Sequence, residues 1–256
     1  IPTAGKSSPV IWGDKIFLTG AEAKNCEVYC LDKNTGELIW TASASGIAGE
    51  PGTLPEMDAE AGLAVSTVAA NADVVCAIFA NGNLVCLDHN GSQKWAKNLG
   101  VPENVYGYAS SLIMFGDILA VQFDSNEKIS LMGFDIASGN LRYEVIRRGR
   151  AVWSSPVIGK FEGAPQIIIN GNPEVTAYDP LTGNELWSVE CMSGDVAPSA
   201  AVNSRFVYAV TDYAKLVAIR PGSDAEIIWE DNMYTPDVPS PVATEKYLFV
   251  PTGYGD

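Results

Sequence analysis

The sequence has few of the residues on which many enzymes and nucleic-acid-binding proteins depend. It contains a single histidine, His89, and 16 Lys and Arg beside 31 Asp and Glu, which gives a formal net charge of −15. One histidine excludes a multi-histidine metal site. The negative charge argues against binding to nucleic acid or to an anionic membrane, since both are themselves polyanions. No apolar run reaches the roughly 18 residues that a membrane-spanning helix needs, so no transmembrane segment is predicted.

Cysteine is also scarce. The five cysteines are odd in number and widely spaced, which excludes a disulfide framework of the small secreted kind and leaves at least one thiol unpaired. Cys26 and Cys30 would lie on one face of a strand, roughly 13 Å apart, too far for a disulfide. Cys76 lies within an apolar strand, whereas Cys191 follows the fourth repeat in a predicted loop, so we expect Cys191 to be an exposed thiol.

What the sequence does contain is an internal repeat in an apolar, turn-rich chain. Apolar residues make up 47% of it and charged residues 18%, with 24 Gly and 15 Pro. Each unit has short β-branched runs, an Asp-x-x-Thr-Gly turn or a variant of it, and a closing aromatic residue. The units cover residues 7–40, 64–95, 108–143, 153–187, 197–229 and, in part, 238–256. Their closing aromatics are Trp40, Trp95, Tyr143, Trp187 and Trp229. Spacings of about 42 to 55 residues are typical of propeller blades, and the runs within a unit predict four antiparallel strands.

The turn in each unit has a clear physical role. Asp accepts hydrogen bonds from the backbone just after it, and Gly takes the positive φ that a tight hairpin needs. We assign this structural role to Asp32, Asp88, Asp135, Asp179, Gly36 and Gly183. The closing aromatics are predicted to dock each blade on its neighbour.

The single histidine and two of the cysteines fit into this repeat. His89 occupies the turn position that Lys33 occupies in the first unit, so it is predicted to face solvent and to take no part in a Ser-His-Asp or Cys-His system. Cys30 and Cys86 occupy a position where later units have Gly133, Ala177 and Ala218. This position therefore demands a small side chain, and the thiols there are expected to be structural.

The segment from Ala177 to Trp187, with Asp179, Thr182 and Gly183 between them, resembles the repeat of the pyrroloquinoline-quinone-like propeller family. The resemblance implies an all-β propeller of four-stranded blades, about five and a half of them present from a ring of seven or eight, in one domain over residues 1–256 that is incomplete at its C-terminus. The family includes quinone-dependent alcohol dehydrogenases and the propeller lipoprotein of the outer-membrane barrel-assembly machinery. Fold membership alone does not decide between such functions.

The dehydrogenases of this family share a vicinal Cys-Cys pair over the cofactor, a calcium site built from Glu, Asn and Asp, and a catalytic Asp. This sequence has no Cys-Cys dipeptide. We therefore predict no catalytic residue and no cofactor, and a non-catalytic scaffold or ligand- and protein-binding module outside the cytoplasm. Two alternatives stay open: a quinone- and calcium-dependent dehydrogenase whose site further blades complete, and a sensor or carbohydrate-recognition domain of a larger protein.

The resemblance also indicates where a protein or small ligand would bind. In such propellers, the segment entering the first strand of each blade opens onto one mouth of the central channel. The residues placed there are Lys6, Tyr106, Tyr108, Trp153, Asp195, Tyr234 and Asp237. Four arginines, Arg142, Arg147, Arg148 and Arg150, form a basic cluster that would suit an anionic partner. An insertion over residues 49–62, rich in acids and prolines, is predicted to protrude and contact another protein.

Overall fold

A computed structural model of the chain describes residues 1–58, 61–211, 214–233 and 235–252. Within these residues every regular element is a β-strand, so the described part has no helix that could cross a membrane. The strands form five four-stranded sheets and one two-stranded sheet. The all-β propeller fold predicted from the repeat is thereby confirmed.

The strands follow the order of the chain from sheet to sheet. The first sheet contains β1 (Val10–Trp12), β2 (Lys15–Glu22), β3 (Asn25–Asp32) and β4 (Leu38–Ser43); the second contains β5 (Ala69–Ala70), β6 (Val74–Ile78), β7 (Asn83–Asp88) and β8 (Gln93–Asn98); the third contains β9 (Ile113–Phe115), β10 (Ile118–Asp124), β11 (Ile129–Asp135) and β12 (Leu141–Ile146). The fourth contains β13 (Val157–Phe161), β14 (Ala164–Asn170), β15 (Glu174–Tyr178) and β16 (Glu185–Glu190); the fifth contains β17 (Ala201–Val202), β18 (Val207–Val210), β19 (Leu216–Arg220) and β20 (Glu226–Asp231); the last contains β21 (Val242–Ala243) and β22 (Leu248–Phe249). Each sheet is a meander in which sequential strands are neighbours.

Burial differs between the inner and outer strands of a sheet. The middle strands β6 and β7 are almost wholly buried, whereas no fourth strand has more than one buried residue. Because both faces of the middle strands are covered, their sequences read as continuous apolar runs such as Val74–Ile78 rather than as alternating patterns.

The chain divides into two compact units. The first comprises residues 1–127 and 134–142, and the second comprises residues 128–133 and 143–256. In the first unit, the opening strand β5 lies between β1 and β9; in the second, β17 lies between β13 and β21. The first core includes Phe17, Val28, Val75, Phe79 and Val85, and the second includes Ile168, Val175, Trp187, Val207 and Val217. A single domain over residues 1–256 remains a prediction.

The hairpin between β3 and β4 shows how the turn residues work. The carboxylate of Asp32 accepts from the backbone N–H groups of Asn34 and Thr35 at 2.8 and 2.9 Å, while the Gly36 N–H donates to the Asp32 carbonyl at 2.8 Å. Gly36 has a φ of +73°. The same carboxylate-to-backbone bonding recurs at Asp88, Asp135 and Asp179. These bonds lower the pKa of Asp32, because they favour the ionised carboxylate.

Candidate functional site

The aromatic that closes the first repeat packs on the turn of the second. The Trp40 indole N–H donates to the backbone carbonyl of His89 at 3.1 Å. Its ring also covers Gly91, where an added β-carbon would come within 2.9 Å of the ring. The Trp40 ring is therefore fixed by a hydrogen bond to a backbone carbonyl, and it fits against the turn because Gly91 has no side chain.

Trp95 makes the same pair of contacts with the turn of the third repeat. Its indole N–H donates to the Ile136 carbonyl at 2.7 Å, and a β-carbon on Gly139 would lie 2.6 Å from its ring. Trp187 differs, since it is buried and its indole N–H donates to the Gln166 side chain, in its own sheet, at 2.8 Å.

The two remaining closing aromatics lie in the second unit. The Tyr143 hydroxyl donates to the Pro180 carbonyl at 3.1 Å, and its ring covers Gly183, where a β-carbon would approach it to 2.5 Å. Trp229 is 42% exposed and contacts the Tyr208 ring at a centroid separation of 6.1 Å. The contribution of these aromatics to stability remains a prediction.

A small residue stands opposite each closing aromatic. The cross-strand pairs are Cys30 with Trp40, Cys86 with Trp95, Ala177 with Trp187, and Ala218 with Trp229. In the third repeat, a β-carbon on Gly133 would lie 2.3 Å from the Tyr143 ring. The aromatic ring therefore accounts for the small side chain that this position demands.

The prediction that Cys191 is an exposed thiol is wrong. All five cysteines are unpaired and buried, and Cys191 packs in the core of the second unit. Its backbone N–H donates to the Pro173 carbonyl at 3.0 Å, which turns the start of this loop inward. Burial raises the pKa of Cys191 to about 11 and that of Cys26 to about 12, so both stay protonated and unreactive near neutral pH.

The prediction that His89 faces solvent is also wrong. The side chain is half-buried, with its ring edge-on to Phe17 at a centroid separation of 5.3 Å. Its Nε2 donates to the Asn71 carbonyl at 2.8 Å. The turn that carries His89 is drawn into the contact with Trp40, which a comparison with Lys33 could not reveal.

In the first unit, the loop before the third repeat is braced by one asparagine. The Asn104 amide donates to the carbonyl of Gly107 at 2.9 Å, and its oxygen accepts from the Tyr106 N–H at 2.9 Å. Beneath this loop, the Tyr108 hydroxyl donates to the Gly100 carbonyl at 3.1 Å. Tyr108 is only 3% exposed, so the structure corrects its expected place on a recognition surface.

The described part of the insertion over residues 49–62 packs on this same loop. The Asp58 N–H donates to the Val105 carbonyl at 2.9 Å, and the Met57 sulfur lies 3.0 Å from where a β-carbon on Gly107 would stand. Four large apolar side chains on the two segments remain exposed. We call them the loop patch: Leu54, Val101, Val105 and Tyr106.

The other predicted mouth residues vary in exposure. Lys6, Asp195 and Asp237 are exposed. Trp153 is half-buried, and its backbone N–H donates to the Val196 carbonyl at 2.8 Å. Tyr234 lies outside the described residues.

The four arginines do not act as one cluster. Arg142 pairs with Asp117 and Asp135 at 3.0 and 2.6 Å. The hydroxyl of Ser138, the Arg142 guanidinium and the backbone N–H of Ser138 together hold the pKa of Asp135 at about 2. The charge of this arginine, in β12, is therefore already paired within the first unit.

The remaining three arginines lie in the second unit. Arg148 pairs with Glu174 and Glu185, each at 3.1 Å. Arg147 is 8% exposed, which corrects its expected place in a surface cluster, because this side chain is folded inward. Arg150 is exposed, and no ion pair to it is found among the described residues.

Two features of the described residues bear on a calcium and quinone site. Across residues 1–58, 61–211, 214–233 and 235–252, no three His, Cys, Asp or Glu side chains converge as metal ligands. The five buried thiols include no vicinal pair. The described residues therefore hold neither a cluster of three such ligands nor a vicinal cysteine pair.

These features define the class of protein as an all-β propeller with pyrroloquinoline-quinone-like repeats. The chain belongs to the family of outer membrane protein assembly factor BamB, whose model matches residues 2–168 and 171–255. The match covers nearly the whole chain and confirms the resemblance seen in the repeats. No curated protein matches the sequence.

Solved structures share the fold at low sequence identity. BamB from Moraxella catarrhalis has a TM-score of 0.69 and 15% identity over 100% of this chain and 72% of that one. Quinohemoprotein alcohol dehydrogenase from Comamonas testosteroni has a TM-score of 0.67 and 14% identity over 91% of this chain and 43% of that one. Quinohemoprotein alcohol dehydrogenase ADHIIG from Pseudomonas putida HK5 has a TM-score of 0.65 and 13% identity over 95% of this chain and 45% of that one. Likeness at these identities establishes the fold alone.

Proposed function

We propose that this chain is a non-catalytic β-propeller that binds another protein outside the cytoplasm and serves in outer membrane protein assembly. The family supports the process and the compartment, because its model is described as outer membrane protein assembly factor BamB. The observation that carries the binding role is the loop patch of the first unit.

The loop patch has the composition of a protein-binding surface. Val105 is 56% exposed and Tyr106 is 39% exposed, although burying these side chains in the core would be favourable. Tyr combines a large apolar ring with a polar hydroxyl, which is why it is enriched at interfaces. An exposed group of apolar side chains on a braced loop is a typical docking site.

The loop is also organised before any partner binds. Asn104 fixes the backbone on both sides of Tyr106, and the insertion supports the loop through Asp58. A surface that is already ordered loses little conformational entropy on binding. The net charge of −15 favours a partner with a neutral or basic contact face.

The proposal can be tested by site-specific photo-crosslinking in a bacterial periplasm. Benzoylphenylalanine is placed at position 106 and, as a matched exposed control in the outer strand β12, at position 141. We expect one specific adduct at position 106, containing an outer-membrane assembly component, and none at position 141. The same adducts at both positions, or no adduct at position 106, would contradict the proposal.

The identified partner then allows a quantitative test with purified proteins. A Val105→Ser, Tyr106→Ser double variant should weaken binding about fivefold or more, since truncating an aromatic anchor commonly costs more than about 1 kcal/mol. Leu141→Ser should bind as the unaltered protein does. Separately, stoichiometric uptake of pyrroloquinoline quinone with calcium, followed by dye-linked alcohol oxidation, would overturn the non-catalytic assignment.

A further inference from the structure

The second unit contains a cavity of about 440 Å³ that is distinct in composition from the loop patch. It is lined by Gly149, Arg150, Asn172, Pro173, Ser193 and Gly194. A volume of this size is in the range of small-ligand sites, roughly 300 to 1,000 Å³. The lining residues include one cation and no acidic side chain.

Three chain segments form the cavity and are tied together by hydrogen bonds. The Arg150 N–H, between β12 and β13, donates to the Asn172 carbonyl in the β14–β15 hairpin at 2.9 Å. The Asn172 side-chain amide donates to the Gly194 carbonyl in the segment between β16 and β17. The Met192 N–H donates to the Pro173 carbonyl at 3.0 Å. The walls are therefore connected to one another without a ligand.

The segment before β13 and the β14–β15 hairpin are in direct backbone contact at Gly149 and Asn172. A β-carbon on Gly149 would lie 1.8 Å from the Asn172 carbonyl oxygen. The two backbones can approach this closely only because position 149 has no side chain. Arg150, the next residue, lines the cavity.

Arg150 differs from its neighbours in how its charge is compensated. Arg148 is neutralised by Glu174 and Glu185, and Arg147 is buried. Arg150 is exposed in a protein of net charge −15, and no acidic side chain lines its cavity. A guanidinium presents a planar pair of N–H donors that matches a carboxylate in bidentate geometry.

We propose that this cavity binds a carboxylate group, with the Arg150 guanidinium as the bidentate donor and the Ser193 hydroxyl as a neighbouring donor. One cation balances one negative charge, whereas a phosphate dianion would call for further donors or a second cation. Pro173 and the glycine backbones offer a small, mostly apolar wall to the remainder of the ligand. Two sources share this chemistry: a free small acid and the carboxyl terminus of a peptide. The proposal does not depend on the function proposed above.

The test is a titration of the purified, isotope-labelled full chain followed by NMR. The probes are N-acetylalanine, its amide, phenyl phosphate, and an acetylated tetrapeptide with either a free or an amidated carboxyl terminus. We expect the free acids to shift the Arg150 side-chain N–H signal and the Gly149 and Gly194 amide signals, and the amides to shift none of them. Tighter binding of the tetrapeptide than of N-acetylalanine would assign the site to a chain terminus, and weaker binding would assign it to a free acid.

Three variants separate the role of the arginine from a structural effect. Arg150→Gln should weaken binding of the free acids about tenfold or more. Arg150→Lys should bind them with an affinity between those of Arg150→Gln and the unaltered protein, because lysine keeps the charge but lacks the planar pair of donors. Arg148→Gln, which removes a charge two residues away, should bind as the unaltered protein does. No saturable shift with any free acid, equal shifts with acid and amide, or tighter binding of phenyl phosphate would overturn the proposal.

Discussion

The Trp95 ring occupies the space that a side chain on Gly139 would need. A β-carbon at position 139 would stand 2.6 Å from the ring, and Gly139 has a φ of +70°. Two requirements therefore coincide at one glycine: a left-handed backbone and room for an aromatic from the preceding repeat. Gly36 has nearly the same φ, +73°, but open space around its missing β-carbon.

This difference makes Gly36 and Gly139 a matched pair for mutation. Gly36→Ala should lower the free energy of unfolding by about 1 to 2 kcal/mol through backbone strain alone. Gly139→Ala should lower the free energy of unfolding by about 1 to 3 kcal/mol more than Gly36→Ala does, because the Trp95 ring must shift. Denaturant unfolding measures both. Equal costs for the two substitutions would show that the ring contact contributes nothing.

The closing aromatics should differ in their contribution to stability according to their contacts. We expect Trp95→Ala to lower the free energy of unfolding by about 3 to 5 kcal/mol. The exposed Trp229 serves as the control, and Trp229→Ala should cost about 1 kcal/mol or less. Trp95→Phe, which keeps a ring but loses the hydrogen bond to Ile136, should cost about 1 kcal/mol. Similar losses at positions 95 and 229 would contradict a docking role for Trp95.

The hairpin carboxylates should make the protein sensitive to acid. The pKa of Asp135 is lowered from 3.8 to about 2, and those of Asp32 and Asp88 are also lowered by backbone hydrogen bonds. A lowered pKa in the folded state means that the stabilisation is complete above about pH 4 and is lost as the pH falls toward 2. Unfolding free energies measured from pH 5 to pH 2 should fall, and Asp135→Asn should flatten that fall. Asp237→Asn, at an exposed loop position, controls for the loss of one charge; an identical flattening there would refute this account.

The five thiols should be unreactive toward thiol reagents in the folded protein. All five are buried, and burial raises the pKa of Cys191 to about 11. A thiol reagent such as dithionitrobenzoate should label none of them quickly at pH 8 and all five in denaturant. Fast reaction of one thiol in the native protein, mapped to Cys191 by mass spectrometry, would show that its loop opens.

The sequence predicts the local features of the fold well. The turn at Asp32 is complete within five residues, so its hydrogen bonds could be anticipated from the Asp-x-x-Thr-Gly pattern. The demand for a small residue at positions 30 and 133 was also visible in the repeat, although its cause, the facing Trp40 and Tyr143, required the strand register.

Features that depend on distant partners could not be predicted. The insertion over residues 49–62 has the composition of a protrusion, yet Asp58 bonds to Val105, 47 residues further along the chain. Cys191 follows a strand in a segment whose sequence predicts a loop, but its side chain is buried in the core and its backbone N–H donates to the Pro173 carbonyl. Neither contact leaves a signal in the residues adjacent to it.

The candidate sites were likewise predictable only where they do not depend on distant residues. Arg147, Arg148 and Arg150 are adjacent and chemically identical, so the sequence predicts one basic cluster. Their roles separate only through Glu174 and Glu185, which are 26 and 37 residues from Arg148 in the chain. In the loop before the third repeat, Tyr106 is exposed, as its position predicts, and its role in binding stays a prediction.

The indole and phenol donors of Trp40, Trp95 and Tyr143 all bond to main-chain carbonyls, never to a side chain of the neighbouring turn. Evolution can therefore replace almost every residue of those turns without breaking the bond, provided that the glycine and the backbone path survive. Such tolerance is in keeping with an architecture held in common with Moraxella catarrhalis BamB at only 15% identity. It also implies that relatives are better recognised by the spacing of their glycines and aromatics than by overall residue matching.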